Sequence, residues 1–143
     1  MAPTADSILA TLRAGGMRIT PARRAIVAAL LRKAHPTAES LAGAVQRRNP
    51  DVAPSTVYRF LEALEDWGLV RHSHLGHGPA VYHLAEERHG HLVCEKCGLV
   101  KEVPEATFSS LRRRLRDTES FDLAPGHFAV TGYCGDCREV RSA

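Results

Sequence analysis

The sequence lacks the features that mark membrane, secreted and fibrous proteins. None of its 143 residues belongs to an apolar run long enough to cross a bilayer. The first 18 residues carry Asp6, lack a basic segment and have no small-residue cleavage site, so we predict no signal peptide. With 44% apolar and 24% charged residues, the chain is neither collagen-like nor disordered. We therefore expect a soluble cytoplasmic protein with no membrane partner.

Positive charge is concentrated in the first part of the chain. Residues 1–60 hold nine Lys and Arg against three Asp and Glu, whereas residues 61–143 hold ten against thirteen. The two parts therefore carry formal charges of +6 (9 − 3) and −3 (10 − 13). A basic first part favours a polyanionic partner such as nucleic acid, although a solvated helical surface also explains such an imbalance.

Helical periodicity dominates this basic part. Four apolar stripes at helical spacing predict four helices, which start near Thr4, Thr20, Thr37 and Ser55. The fourth helix buries an apolar face, so its first turn exposes a set of polar side chains: Ser55, Thr56, Tyr58 and Arg59. Two short apolar runs around residues 76–79 then predict a hairpin.

This order of elements is typical of a winged helix-turn-helix domain. Recognition helices of that class read the major groove with their N-terminal residues, so the polar turn is the predicted DNA contact. A small helical bundle without a DNA partner remains the alternative.

The second part of the chain has four cysteines in two equal spacings, Cys94-x-x-Cys97 and Cys134-x-x-Cys137. In a chain without a signal peptide, paired motifs of this kind favour a tetrathiolate zinc site over disulfides. Four thiolates complete the tetrahedron of Zn²⁺, so the site would be structural. A redox dithiol and unliganded thiols are the alternatives.

A small sheet crossed by one helix is predicted around these cysteines. The predicted strands are Leu99–Val103, Phe121–Leu123 and Phe128–Tyr133, and the predicted helix is Glu105–Thr118. Few residues are left to cover the second face of the sheet, which indicates a dimerisation domain.

The predicted fold class is therefore α+β, with an N-terminal winged helix-turn-helix domain and a C-terminal α/β dimerisation domain. The predicted boundaries are residues 1–84 for DNA binding, 85–90 for a hinge, and 91–143 for dimerisation and metal binding.

Six of the eight histidines lie between residues 72 and 91. His72-x-His74 and His89-x-His91 are pairs at a spacing of two, and on a strand such pairs point to the same face. One pair could arise by chance or contact phosphate. Two pairs beside Glu86, Glu87 and Glu102 predict a site for a divalent metal that accepts imidazole ligands.

The combined motifs resemble the ferric uptake regulator family of bacterial metal-dependent repressors. The resemblance extends over nearly the whole chain and is carried by three segments: Ser55–Arg59, His89–Cys97 and Cys134–Cys137. It implies a homodimer that binds a pseudo-palindromic duplex operator, with a regulatory metal at the hinge between two domains.

The resemblance also implies roles for individual residues. Tyr58 and Arg59 match the family's recognition-helix contacts, and Arg18 matches a basic residue that approaches the minor groove. The four cysteines match a structural Zn²⁺ site. The implied ligands of the hinge site are His35, Glu87, His89 and His91, with His83 and Glu102 as additional candidates.

The hairpin region is similar to the nickel-responsive branch of that family. The equivalents of His72, His74 and His127 bind nickel there, so the resemblance implies a repressor that senses Ni²⁺. Glu87 replaces a histidine of that branch and makes the hinge site more suitable for Fe²⁺, Mn²⁺ or Zn²⁺. An iron, manganese, peroxide or zinc sensor of the same family is therefore the alternative.

Two other classes of function compete with transcriptional regulation. An enzyme would use the histidines as a catalytic metal centre, but the sequence has no HExxH motif and no nucleophile elbow, so we predict no catalytic residues. A metal-storage or chaperone protein would not need the Tyr58-Arg59 turn.

Overall fold

The computed structural model describes residues 3–32, 35–86, 88–124 and 128–141. Contacts divide the chain into two compact units, Met1–His72 with Ala80–Leu84, and Ser73–Pro79 with Ala85–Ala143. The predicted boundaries at residues 84 and 90 stay a prediction. Within the described ranges, no helix has both the length and the apolar character that crossing a membrane would require.

The described residues contain six α-helices and five strands. In chain order they are α1 (Ala5–Ala14), α2 (Pro21–Arg32), α3 (Ala38–Arg48), α4 (Pro54–Asp66), β1 (Val70–His74), β2 (Ala80–Leu84), β3 (His89–Cys94), β4 (Val100–Pro104), α5 (Ser109–Glu119), β5 (Phe128–Gly132) and α6 (Gly135–Arg141).

Hydroxyl caps start three of the helices in the first unit. Thr4 and Thr37 each form a capping box with the serine three residues later, which satisfies N–H groups that have no partner inside the helix. The Thr20 hydroxyl accepts from the Arg23 N–H at 3.2 Å, directly before Pro21 opens α2. The predicted starts of these helices are confirmed.

The core of the first unit fixes the orientation of α4. Leu61 and Leu64 of α4 are fully buried, as are Ile26 and Leu41 of the neighbouring helices. Burying a side chain of this size stabilises a fold by about 1.5–3 kcal/mol. The guanidinium group of Arg23 also lies 5.6 Å from the ring centre of Phe60, which ties α2 to α4.

The hairpin of β1 and β2 completes a winged helix-turn-helix. The two strands form a two-stranded sheet, and β2 is joined to the start of α3 by a bridge between Val81 and Thr37. The Tyr82 N–H donates to the Pro36 carbonyl at 2.8 Å. The predicted fold class is confirmed in this unit.

The second unit is a three-stranded sheet in the order β4-β3-β5. Strand β3 is antiparallel to β4 and parallel to β5, and α5 lies in the crossover that a parallel neighbour requires. In the register of this sheet, His91 lies opposite Glu102 on one side and Ala129 on the other.

The structure differs from the sequence-based predictions for this unit in three respects. Phe121–Leu123 is not a strand, because the Phe121 N–H donates back to the Leu115 carbonyl and Arg112 donates to the Leu123 carbonyl at 2.8 Å. The predicted helix at 105–118 begins as a 3-10 turn, and the α-helix runs from 109 to 119. Helix α6 was not predicted.

A glycine in β3 allows close packing beside the histidine pair. Gly90 lies between His89 and His91, and a Cβ at this position would come within 2.3 Å of the Phe108 ring. Phe108 packs edge-on against Phe128, with 4.5 Å between the ring centres. The aromatic pair therefore holds β3 and β5 together on the face opposite the histidines.

We predict that Gly90→Ala lowers the free energy of unfolding by about 1–3 kcal/mol, because the new methyl group collides with Phe108. Urea denaturation followed by circular dichroism measures the loss. Gly132→Ala is the matched control in the same sheet, since a Cβ there meets nothing within 4 Å. Equal losses in the two variants would contradict the packing argument.

Candidate metal centres and DNA-binding surface

The four cysteine sulfurs form one cluster in the second unit. All four lie within 4.8 Å of one another, and none of these described residues is in a disulfide. The end of β3 supplies Cys94, and the following turn supplies Cys97. Cys134 lies directly before α6, and Cys137 lies in the first turn of α6. The distance from the Cys97 sulfur to the Cys134 sulfur is 3.7 Å.

This spacing fits tetrahedral coordination. A Zn–S bond of about 2.3 Å places the sulfurs of a tetrathiolate site about 3.8 Å apart, whereas a disulfide needs about 2.05 Å. The predicted cysteines are therefore brought together at separations that suit a single Zn²⁺ ion.

The electrostatics of the cluster also favour a cation. The backbone N–H groups of Cys97 and Cys134 lower the pKa of Cys94 to about 6, so that sulfur is a thiolate at neutral pH. A hydrogen bond with the side chain of Cys134, followed by burial, raises the pKa of Cys137 to about 12, so the metal-free cluster does not hold four thiolates at neutral pH. A divalent metal favours the thiolate form by neutralising several sulfurs at once.

A second cluster lies on the opposite face of β3 from Gly90. His89, His91 and Glu102 place ligand atoms within 4.8 Å of one another. The distance from His89 Nε2 to Glu102 Oε1 is 3.3 Å, and the two imidazole centres are 4.7 Å apart. His91 is completely buried. Strand alternation and the register of β3 against β4 bring these three side chains together.

The other histidines of the sequence prediction are distributed over both units. His35 is in the first unit, between α2 and α3, and has a φ of 52°, in the left-handed region. His83 is buried in β2. Glu87 and His127 lie outside the described residues.

His72 has a partner that the sequence analysis did not predict. Its Nδ1 contacts Glu65 Oε1, and its ring centre is 5.9 Å from that of Tyr82. Burial, followed by the charges of Glu65 and Glu62, raises the pKa of Tyr82. Helical periodicity places Glu62 and Glu65 on one side of α4, but it does not indicate that His72 contacts that side.

The predicted recognition turn is exposed. Val57 and Phe60 of α4 face the core, while four side chains face outward: Ser55, Thr56, Tyr58 and Arg59. Arg18 is also exposed. No acidic residue lies in the first turn of α4, and Ala53 provides no side-chain cap, so the helix N-terminus keeps donors that suit phosphate.

Known proteins with similar sequences are regulators of one family. A model of the ferric uptake regulator family matches residues 14–131. The peroxide-responsive repressor PerR of Staphylococcus epidermidis is 29% identical over 135 residues, which cover 94% of this chain and 90% of the relative.

Solved structures of such regulators share the fold. The ferric uptake regulator of Helicobacter pylori has a TM-score of 0.76 at 21% identity, with 95% of each chain covered, and supports the fold alone. The manganese form of the Pseudomonas aeruginosa regulator has a TM-score of 0.70 at 28% identity, covering 89% of this chain and 97% of that one.

A winged helix with an exposed polar turn, joined to a unit that gathers metal-ligating side chains, defines a metal-responsive DNA-binding regulator. The chain belongs to the ferric uptake regulator family. Members of this family are dimeric DNA-binding transcription factors, so the prediction that the protein is not an enzyme is confirmed. The nickel-responsive branch stays a prediction.

We predict that Cys137→Ser lowers the zinc content and the thermal midpoint of the protein, because three thiolates bind the ion less tightly than four and the ion stabilises only the folded chain. Metal analysis after dialysis against a chelator measures the zinc content. His77→Ala, in the exposed hairpin turn, is the control. Fewer than four titratable thiols in the unfolded, chelated wild-type protein would contradict the assignment, because disulfides would then be present.

Proposed function

We propose that this protein is a homodimeric repressor whose binding to a pseudo-palindromic operator depends on a regulatory divalent metal. The observation that carries the proposal is the cluster of His89, His91 and Glu102 inside the second unit. His35 completes the proposed ligand set, as the resemblance to the family implies.

The donor set fits several divalent metals. Imidazole nitrogen suits iron, nickel and zinc, and a carboxylate adds affinity for manganese. His91 is completely buried, and Glu102 supplies a negative charge that offsets the charge of a cation. We propose Fe²⁺, Mn²⁺ or Zn²⁺ as the regulatory metal at this site. The Pseudomonas aeruginosa relative, which was solved with manganese, fits this choice.

The four cysteines have a separate, structural role in this proposal. They join the end of β3 to α6 and would hold a Zn²⁺ ion with no open coordination position. The sheet beside them leaves Leu92 and Val130 on one face, with 38% and 39% of their surfaces exposed. We propose that this face is covered by a second copy of the chain.

The regulatory ligands would control DNA binding by selecting one orientation of the two units. His35 belongs to the first unit and the other three ligands to the second. Shared coordination would favour the orientation of the units in which all four ligands reach the same ion. The metal would shift the equilibrium between orientations only by the difference between its affinities for them. Two recognition helices at a fixed spacing then fit two half-sites.

Nickel sensing is the second candidate. His72 and His74 are both exposed on the same side of β1, as the nickel site implied by the resemblance requires. The third ligand of that site would be His127. Glu65, which contacts His72 Nδ1, leaves the other ring nitrogen of His72 as the atom that would bind nickel.

We predict that His91→Ala abolishes metal-dependent operator binding, whereas His72→Ala/His74→Ala leaves it intact, because His91 is buried within the proposed site and the other pair is exposed. Fluorescence anisotropy with a duplex from the upstream region of the gene measures binding, with the structural zinc retained and Fe²⁺, Mn²⁺, Zn²⁺ or Ni²⁺ titrated at fixed ionic strength. Adding peroxide after Fe²⁺ tests the peroxide response that the Staphylococcus epidermidis relative is named for.

Two outcomes would change this assignment. A response to Ni²⁺ alone that is lost in the His72/His74 variant would move the sensing role to the nickel site. Operator binding that does not depend on any metal would contradict the proposed function as a whole.

We also predict that Arg59→Ala lowers operator affinity by about 1–3 kcal/mol and relaxes the preference for operator over random DNA, because an arginine in the recognition turn can bond two atoms of a guanine. The same anisotropy assay with both duplexes measures the effect. Arg13→Ala, an exposed arginine in the last turn of α1, is the matched control. If both variants weaken both duplexes equally, α4 does not read the sequence.

A further inference from the structure

A groove between α2 and α3 carries a concentration of positive charge outside the recognition turn. It encloses about 470 Å³ and continues into a second depression that shares Arg32, Ala44 and Arg48 with it. Four arginines line the groove along its length: Arg24, Arg32, Arg47 and Arg48. We refer to these residues and the surface between them as the arginine groove.

The charge of the arginine groove is not balanced by nearby carboxylates. Among the described residues that line the two depressions, none is acidic. Across the part of the chain that the structure describes, none of the four guanidinium groups forms an ion pair. In α5, by contrast, Arg112 and Arg116 pair with Glu105 and Asp122. The groove therefore keeps its cationic character.

Several of the side chains that line the groove are small. Ala25 and Ala28 of α2 and Ala44 of α3 line it together with the larger Ile19 and Val45. Small side chains beside long cations allow a chain of anionic groups to come close to both helices. The eight helical steps from Arg24 to Arg32 correspond to about 12 Å of helix. That length spans more than one phosphate, because one DNA strand rises about 3.4 Å per nucleotide.

One end of the groove adjoins the predicted DNA contacts. Thr20 and Asn49 line this end. Arg18 lies two residues before Thr20, and the turn after Asn49 leads to Pro54, the first residue of the recognition helix. This end of the groove is therefore close along the chain to both sets of predicted DNA contacts.

We propose that the arginine groove binds the phosphodiester backbone of duplex DNA and extends the DNA contact beyond the recognition turn. This inference rests on the proposed function and deepens it. It identifies sequence-independent contacts that supply affinity, whereas the first turn of α4 supplies sequence preference. A small organic anion or an acidic protein segment would satisfy the same charges, and the experiment separates these occupants from DNA.

The test measures the salt dependence of binding to a random-sequence duplex of about 30 base pairs, long enough for two half-sites one helical turn apart. Two double variants divide the groove, Arg24→Gln/Arg48→Gln at one end and Arg32→Gln/Arg47→Gln at the other. Arg113→Gln/Arg114→Gln is the matched control, because both arginines are exposed on α5. This variant loses two positive charges, as each groove variant does. Zinc content and thermal unfolding show that each variant is folded.

Each lost phosphate contact should make the slope of log affinity against log salt less negative by about 0.9, over a range of about 50–200 mM. We expect this change in both groove variants, with the ratio of operator to random affinity unchanged, and no such change in the control. A change of slope in the Arg24→Gln/Arg48→Gln variant alone would contradict a DNA contact along the whole groove. Slopes that match the wild type, or a loss of affinity without a change in slope, would overturn DNA as the occupant.

The outcome is distinguishable from failure of the proposed function. Binding to a random duplex needs neither an operator nor a regulatory metal, so metal-independent operator binding would contradict the proposed function without changing these slopes. Conversely, a normal metal response together with unaltered slopes would contradict the groove alone.

Discussion

Strand β3 is the constraint on which the second unit depends. It pairs with β4 on one side and β5 on the other, so its alternation assigns every side chain to a fixed face. One face carries His89 and His91, the other carries Gly90 against Phe108, and the strand ends at Cys94. A slip of one residue in this pairing would turn the imidazoles toward Phe108 and separate them from Glu102. The aromatic packing at Gly90 therefore also preserves a candidate metal site.

Local signals in the sequence were sufficient for most of the first unit and for both clusters. Thr4 and Thr37 start their helices as the capping pattern predicts, and the spacing of the histidines predicted which face they share. Long-range contacts were not accessible in the same way. Phe121–Leu123 has the composition of a strand, but hydrogen bonds attach the segment to α5 and it does not join the sheet. The contact between His72 and Glu65 depends on how the hairpin packs on α4, which no local pattern specifies.

The two clusters use different donors for different physical reasons. Hydrogen bonds in the four-cysteine cluster lower the pKa of Cys94 and raise the pKa of Cys137, so a cation is needed before all four sulfurs become thiolates. Such a site suits a permanent structural metal. The other cluster combines imidazoles, which are neutral ligands when deprotonated, with one carboxylate. A donor set with less charge binds less tightly and can exchange its metal, which a sensor requires.

The division of charge in the chain has a consequence for recognition. If phosphate contacts in the arginine groove supply much of the affinity, the recognition turn needs only a few base contacts to discriminate its operator. Regulation by metal then acts on the spacing of the two winged helices. The phosphate contacts of one winged helix form on any duplex. Two winged helices fit one operator only at the correct spacing. Loss of the regulatory metal would leave weak, sequence-independent binding. On this argument, the basic first unit keeps the protein close to DNA, and the proposed regulatory metal in the second unit decides when that proximity becomes repression.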